Sequence, residues 1–225
     1  MREEIETWEK IAGSFDSTRR KPWKRCLDFI DRIDSSALIL DIGCGNGRHL
    51  IPSARRCRFA VGVDISFNML TICRKNLLEN DITNFSLVRA DATNLPFRDS
   101  TFDFILFIAS LHNIRGRQQR VNALREVGRV MKDGGKALIT VWARWQDRFF
   151  FTFLVKLFLR GHEEFGDIEV MWKRDSLNIS RFYHLYSVRE IVKDIKEAGL
   201  KIEKVEKVKI SSRYLADNIF AYLTK

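Results

Sequence analysis

Apolar positions along the 225-residue chain follow two different rhythms. Between residues 5 and 15, Ile5, Trp8, Ile11, Ala12 and Phe15 recur at steps of three and four, one stripe of a helix. A second helix should open at Pro22, a good first-turn residue, and carry Trp23, Cys26, Leu27 and Ile30 to about Ile33. Then the period changes. ALILDIG (37–43), FAVGVDI (59–65), FSLVRAD (85–91), FDFILFI (102–108) and KALITVW (136–142) are nearly continuous apolar runs, as in strands buried on both faces of a parallel sheet. Helical stretches are expected between them, around 47–57, 67–79 and 117–131, the last leaving at Lys132-Asp133-Gly134-Gly135. Strand and helix alternate, which predicts a doubly wound, Rossmann-like α/β sheet.

After Trp142 the alternation stops. Residues 145–180, with FFFTFLVKLFL inside them, read as an irregular, aromatic-rich insertion. A helix from Val188 to Ala198, closed by Gly199, precedes KIEKVEKVKI (201–210) and NIFAYLT (218–224), two strands expected to pair antiparallel. The expectation is one domain over 1–225, with amino-terminal helices in 1–33 and the insertion before the last helix and strands.

Charge changes the picture in one respect. Lys and Arg number 39 against 29 Asp and Glu, a net charge of +10 that favours a polyanionic partner, with a solvated basic surface as the plain alternative. Cys26, Cys44, Cys57 and Cys73 show neither a C-x-x-C pair nor a nearby histidine at zinc-ligand spacing, so no metal is expected. The amino terminus lacks a signal-type apolar stretch and no run suits a membrane helix, hence the expectation of a cytoplasmic protein without membrane contact.

The chemistry-bearing turn is ILDIGCGNG. Gly43, Gly45 and Gly47 follow a buried strand and precede a helix, an arrangement that lets backbone approach a ligand. A dinucleotide turn would need glycine at 48, where Arg48 stands. The pattern D-x-G-x-G-x-G, with Asp41 closing the strand, resembles motif I of class I S-adenosylmethionine-dependent methyltransferases. That resemblance implies a seven-stranded sheet of order 3-2-1-4-5-7-6 with S-adenosylmethionine as cofactor. It also implies a binding set of Asp41, Gly43, Gly45, Asn46 and Gly47 at the turn, Asp64 for the ribose hydroxyls, Ile65 packing on adenine, Asp91 and Ala92 at its edge, and Ile108 beside the methionine part.

Three further stretches are similar to one family within that class, the tRNA methyltransferases that esterify 5-carboxymethyluridine at the wobble position. They are T-R-x-K-P-W (Thr18, Arg19, Lys21, Pro22, Trp23), FDFILFIASLHNIRGRQQRV, and RFYHLY from Arg181. The family usually carries a second histidine where Asn113 stands, and a D-N-W-W stretch where Asp217-Asn218-Ile219-Phe220 stands. A carboxylate nucleophile is already ionised near neutrality, so the reaction asks for placement rather than for a base. Arg19, Arg181, Tyr183 and His184 are candidates for holding the acceptor carboxylate, and His112 for lying beside the transferring methyl. Arg181 could equally hold a phosphate or an internal acid. Lys21 joins them as a substrate contact, Trp142 could stack on uracil, and Arg117 and Arg120, matching family positions, would form a basic rim for an anticodon stem-loop together with Arg115, Arg125 and Arg129.

The resemblance further implies a small zinc-binding activator that adds a strand to the sheet. The third strand, with Phe85 and Leu87, is the better acceptor edge, because the Lys- and Glu-dense 201–210 strand at the other edge is protected by charge. Two alternatives stand beside this reading: a methyltransferase for a small quinone- or lipid-type molecule, and a non-catalytic cofactor-binding scaffold.

Overall fold

The structure, a computed structural model, describes residues 2–158 and 164–225. It begins with α1 (Arg2–Thr18) and α2 (Lys24–Ile30), followed by β1 (Leu38–Ile42), α3 (Leu50–Ala54), β2 (Phe59–Asp64), α4 (Phe67–Leu78) and β3 (Phe85–Arg89). Next come β4 (Phe102–Ile108), a single 3-10 turn at Leu111–Asn113, α5 (Arg117–Val130) and β5 (Met131–Trp142). The remainder is α6 (Phe150–Lys156), β6 (Asp167–Arg174), β7 (Leu177–His184), α7 (Val188–Glu197), β8 (Lys201–Val208) and β9 (Asn218–Thr224). No helix among the described residues is long and apolar enough to cross a membrane.

The main sheet runs β3-β2-β1-β4-β5-β9-β8, seven strands with β9 antiparallel to both neighbours. This is the expected class I order, the last two strands being numbered higher because β6 and β7 form a separate hairpin. Alternate residues of the central strands feed two cores, which is why their sequences read as unbroken apolar runs. Leu40, Ile105 and Val141 face α5 and α7, whose Leu124, Val127, Ile191 and Ile195 are fully buried. Ile39, Leu106 and Leu138 face α2, α3 and α4 through Phe29, Leu50 and Leu77. The helix opening at Val188 is started by a reciprocal capping box between Ser187 and Glu190.

The segment expected to be irregular is largely regular. Residues 167–184 form the β6–β7 hairpin, and its Asp175 and Ser176 sit at φ of +49° and +64°, the paired left-handed geometry of a tight hairpin turn. Val170 and Trp172 point inward while Met171 and Lys173 point out. The hairpin is tied to the end of β5 by Tyr186 N–H to Trp142 carbonyl at 2.9 Å and Arg144 N–H to Tyr186 carbonyl at 2.8 Å. That tie carries Arg181 and Tyr183 across the carboxyl ends of the strands. The proposed glycine exit after α5 also differs: the helix ends at Val130, Met131 already pairs with Phe102, and β5 absorbs Gly134 and Gly135 in a register shift.

Candidate active site

Beyond Asp41 the chain turns through Gly43, Gly45 and Gly47 at φ of +67°, +54° and +83°. At Gly43 an added Cβ would meet Ser110 Oγ at 2.3 Å, so both conformation and space exclude a side chain. The turn opens on a cavity of about 530 Å³ at the carboxyl ends of β1 to β4. Asp41, Gly43, Gly45, Asn46, Asp64, Ile65, Asp91, Ala92 and Ile108, all singled out in the sequence, line it. Gly47 does not; it packs instead against Cys73, whose Sγ a Cβ there would meet at 2.8 Å.

Asp64 accepts the Gly45 and Ser66 amide hydrogens, each at 2.9 Å, and burial still pushes its carboxyl up to about 6. Asp41 is 2% exposed, and burial, then the nearby Asp64, push it up to about 8. Its Oδ2 has no donor among the described residues. A buried carboxylate oxygen left in this state is costly, and a ligand bringing a positive donor relieves the cost.

Asn46, besides lining the cavity, also ties two elements together. Its amide donates to Asp16 Oδ1 at 2.9 Å and to the Arg19 carbonyl at 3.1 Å, holding the end of α1 over the glycine turn. Glu9 completes the strap by accepting from Ser66 Oγ and from the Phe67 and Asn68 amides at the first turn of α4. Neither contact was visible in the sequence, because each partner lies 27 or more residues away.

His112, also on the cavity wall, is 1% exposed, and burial, followed by His184 and Arg181, pushes it down to about 3. Its Nδ1 accepts the Trp142 amide hydrogen at 3.1 Å, so the neutral ring carries its proton on Nε2, which has no partner among the described residues. His112 therefore offers a hydrogen-bond donor and is no base near neutrality. Tyr183 lies 5.4 Å from it, ring to ring. Arg181 stacks on Trp172 at 4.6 Å and Tyr183 at 5.1 Å, its buried Nε unpartnered among the described residues. Arg19 and Arg148 face it electrostatically, and among the described residues none of the three meets a carboxylate. Trp142 lines the cavity with one face already stacked on Tyr183, centroids 4.6 Å apart and planes within 5°.

Several expected residues lie elsewhere. His184 points away from the cavity lining to Asp167, Nδ1 to Oδ1 at 2.6 Å, with Glu164 beside them. Arg120 does not reach the surface: it is fully buried and donates to Tyr186 Oη, the Ile114 carbonyl and Glu164. Arg117 is held by Asp194 and Glu197. Arg115 pairs with Glu4 and Glu169, Arg125 with Glu197, and Arg129 with Glu126 and Asp99, so no rim of free positive charge follows β4. Lys21 is exposed and outside the cavity lining. Arg48, read in the sequence only as the residue that excludes a dinucleotide turn, lines the cavity and lies over Trp23 at 5.0 Å.

Residues 39–135 match the family model described as a methyltransferase domain. A putative methyltransferase of Encephalitozoon cuniculi is 32% identical over 200 residues, 87% of this chain and 85% of that protein. A tRNA (carboxymethyluridine(34)-5-O)-methyltransferase of Xenopus tropicalis is 38% identical over 140 residues, 62% of this chain and 21% of that protein. One from Arabidopsis thaliana is 39% identical over 142 residues, 62% of this chain and 32% of that protein. The chain thus spans between a fifth and a third of these two tRNA-modifying relatives. Among solved structures, an S-adenosylmethionine-dependent methyltransferase of Methanosarcina mazei superposes with a TM-score of 0.74 at 19% identity, covering 91% of this chain and 98% of that one. The putative methyltransferase in complex with the Trm112 activator of Haloferax volcanii gives 0.69 at 15%, covering 99% and 96%.

Proposed function

Because the chain belongs to the S-adenosylmethionine-dependent methyltransferases, we propose that it methylates a carboxylate on RNA, that of 5-carboxymethyluridine at the wobble position of tRNA. The observation that carries this reading is the acceptor part of the cavity, where Arg181 and Arg19, both on its wall, meet no carboxylate among the described residues, and where the His112 Nε2–H has no partner among them. Cations and a donor left open in a half-dry cavity suit an anionic acceptor. A lipid-type acceptor would ask for an apolar end instead. The named activity of the tRNA-modifying relatives points the same way.

The cavity fits the cofactor by the open Oδ2 of Asp41 and the glycine turn. Asp41 would take the ammonium, Asp64 the ribose hydroxyls, Ile65 with Asp91 and Ala92 the adenine, and Ile108 the methionine chain. When bound, S-adenosylmethionine supplies an electrophilic methyl group on a sulfonium. The chain's task is then to strip water from the acceptor carboxylate and orient it, with Arg181 and Arg19 countering its charge and His112 donating to one oxygen. No proton has to be removed, consistent with a His112 that stays neutral. Mass spectrometry of digested tRNA from cells with and without this chain tests the proposal: loss of the methyl ester with accumulation of the free acid is expected, and unchanged wobble nucleosides would refute it.

Asp41 makes cofactor binding dependent on pH. Its carboxyl, at about 8 in the ligand-free chain, must be ionised to pair with an ammonium, so binding expels a proton below that pH. Affinity should rise with pH between about 6 and 8, by at most about tenfold per unit. Calorimetry in two buffers of different ionisation enthalpy would count the proton, and Asp41→Asn should flatten the dependence.

The β3 edge is the proposed docking site of a small activator, a partner suggested by the Haloferax methyltransferase's being in complex with one. Asn84 carbonyl and Ala90 N–H both bond β2, so by the alternation of a parallel ladder the amides of Phe85, Leu87 and Arg89 point outward. The side chains of Phe85 and Leu87 lean on the core. Hydrogen exchange should therefore slow at these three outward amides when the partner is added; unchanged exchange would place the partner elsewhere.

A further inference from the structure

Two groups of opposite charge in the cavity lack partners among the described residues. Asp41 Oδ2 is one. The other is the Arg48 guanidinium, which meets no carboxylate and makes no hydrogen bond among the described residues, yet is largely removed from water. Each feels the other electrostatically without an ion pair between them. They stand at the two ends of the same glycine turn.

We propose that Arg48 is the anchor for the α-carboxylate of the cofactor's amino-acid end, so that Asp41 and Arg48 together read a zwitterion. The inference rests on the cofactor alone and stands whether or not the acceptor is RNA. The other cations on the cavity wall are placed for different work. Arg115 is bound to Glu4 and Glu169, and Arg181 belongs to the Trp172 and Tyr183 stack. Arg19 is exposed and feels Arg48 and Arg181 rather than Asp41. Arg48 alone shares the end of β1 with the acid that would take the ammonium.

The guanidinium is also held ready. Trp23, on which it stacks, is fixed by its own amide donating to His49 Nε2 at 3.2 Å and by ring contact with Phe220. A planar cation clamped on an aromatic face loses little freedom when a carboxylate arrives, and offers a bidentate fork to it. Burial and the neighbouring Arg19 push the guanidinium down to about 10, still charged near neutrality. An anion there removes both penalties.

The test is direct binding, by calorimetry, of S-adenosylhomocysteine and of its decarboxylated analogue to the full chain and to Arg48→Met and Arg48→Lys. The parent should prefer the carboxylate-bearing ligand by about ten- to a hundredfold, the range of a charge-assisted contact. Arg48→Met should lose that preference while binding the decarboxylated analogue as the parent does, which also reports that the variant is folded. Arg48→Lys should keep part of it. A preference undiminished in Arg48→Met would overturn the proposal. So would weakening of an anticodon stem-loop alone, which would assign Arg48 to an RNA phosphate. A parent that binds neither ligand would instead discredit the cofactor assignment.

Discussion

Arg120→Ala should lower the stability of the chain by about 3–5 kcal/mol, the usual cost of removing one member of a buried charged network. The side chain is fully buried, and three acceptors depend on it: Tyr186 Oη at 2.9 Å, the Ile114 carbonyl at 3.1 Å and the Glu164 carboxylate. Removing the guanidinium leaves Glu164 beside Asp167 with its counter-charge gone, and opens a void between α5, the hairpin and α7. Against a typical total of about 5–15 kcal/mol, the loss would take a large share of the margin. Urea unfolding should show the midpoint falling with an unchanged slope. Adding Glu164→Gln should recover part of it, because the stranded charge goes too. Were Arg120 an RNA contact, the midpoint would hold and RNA binding would lose salt dependence instead.

The same residue shows what the sequence could and could not disclose. Central strands were legible because burial on both faces leaves few polar positions, and the acids at their ends, Asp41, Asp64 and Asp91, were legible because ligands in such sheets bind outside carboxyl ends. The arginines after β4 were not, since the acids that neutralise Arg117 and Arg120 are 77 and 44 residues distant and local composition shows only the cations. The hairpin escaped for another reason. Its turn uses Asp175 and Ser176 where glycine or asparagine would announce left-handed backbone, and β6 exposes enough polar side chains to mask its period of two. With the hairpin missed, Tyr183 and His184 could not be told apart, although adjacent strand residues face opposite ways: one lines the cavity and the other leaves it.

The arrangement at the acceptor end carries the remaining expectation. Arg181→Met should reduce kcat/KM for carboxylate-bearing RNA by about ten- to a hundredfold, equivalent to one charged hydrogen bond, and most of the loss should appear in KM. The reason lies in the charges. Transfer of a methyl from a sulfonium to a carboxylate discharges both, so a cation that grips the carboxylate favours the ground state at least as much as the transition state. Arg181 then acts by concentrating and orienting the acceptor, with Trp172 and Tyr183 fixing its plane. kcat should fall by a smaller factor, through loosened alignment alone. An acceptor strand whose carboxylate is replaced by the neutral amide gives the cleanest comparison: the parent should bind the acid more tightly than the amide, and Arg181→Met should bind the two alike. Cofactor affinity should move little, since Arg181 is not among the charges that act on Asp41 or Asp64. Equal KM values for parent and variant would remove Arg181 from the acceptor site and leave its unpartnered Nε unexplained.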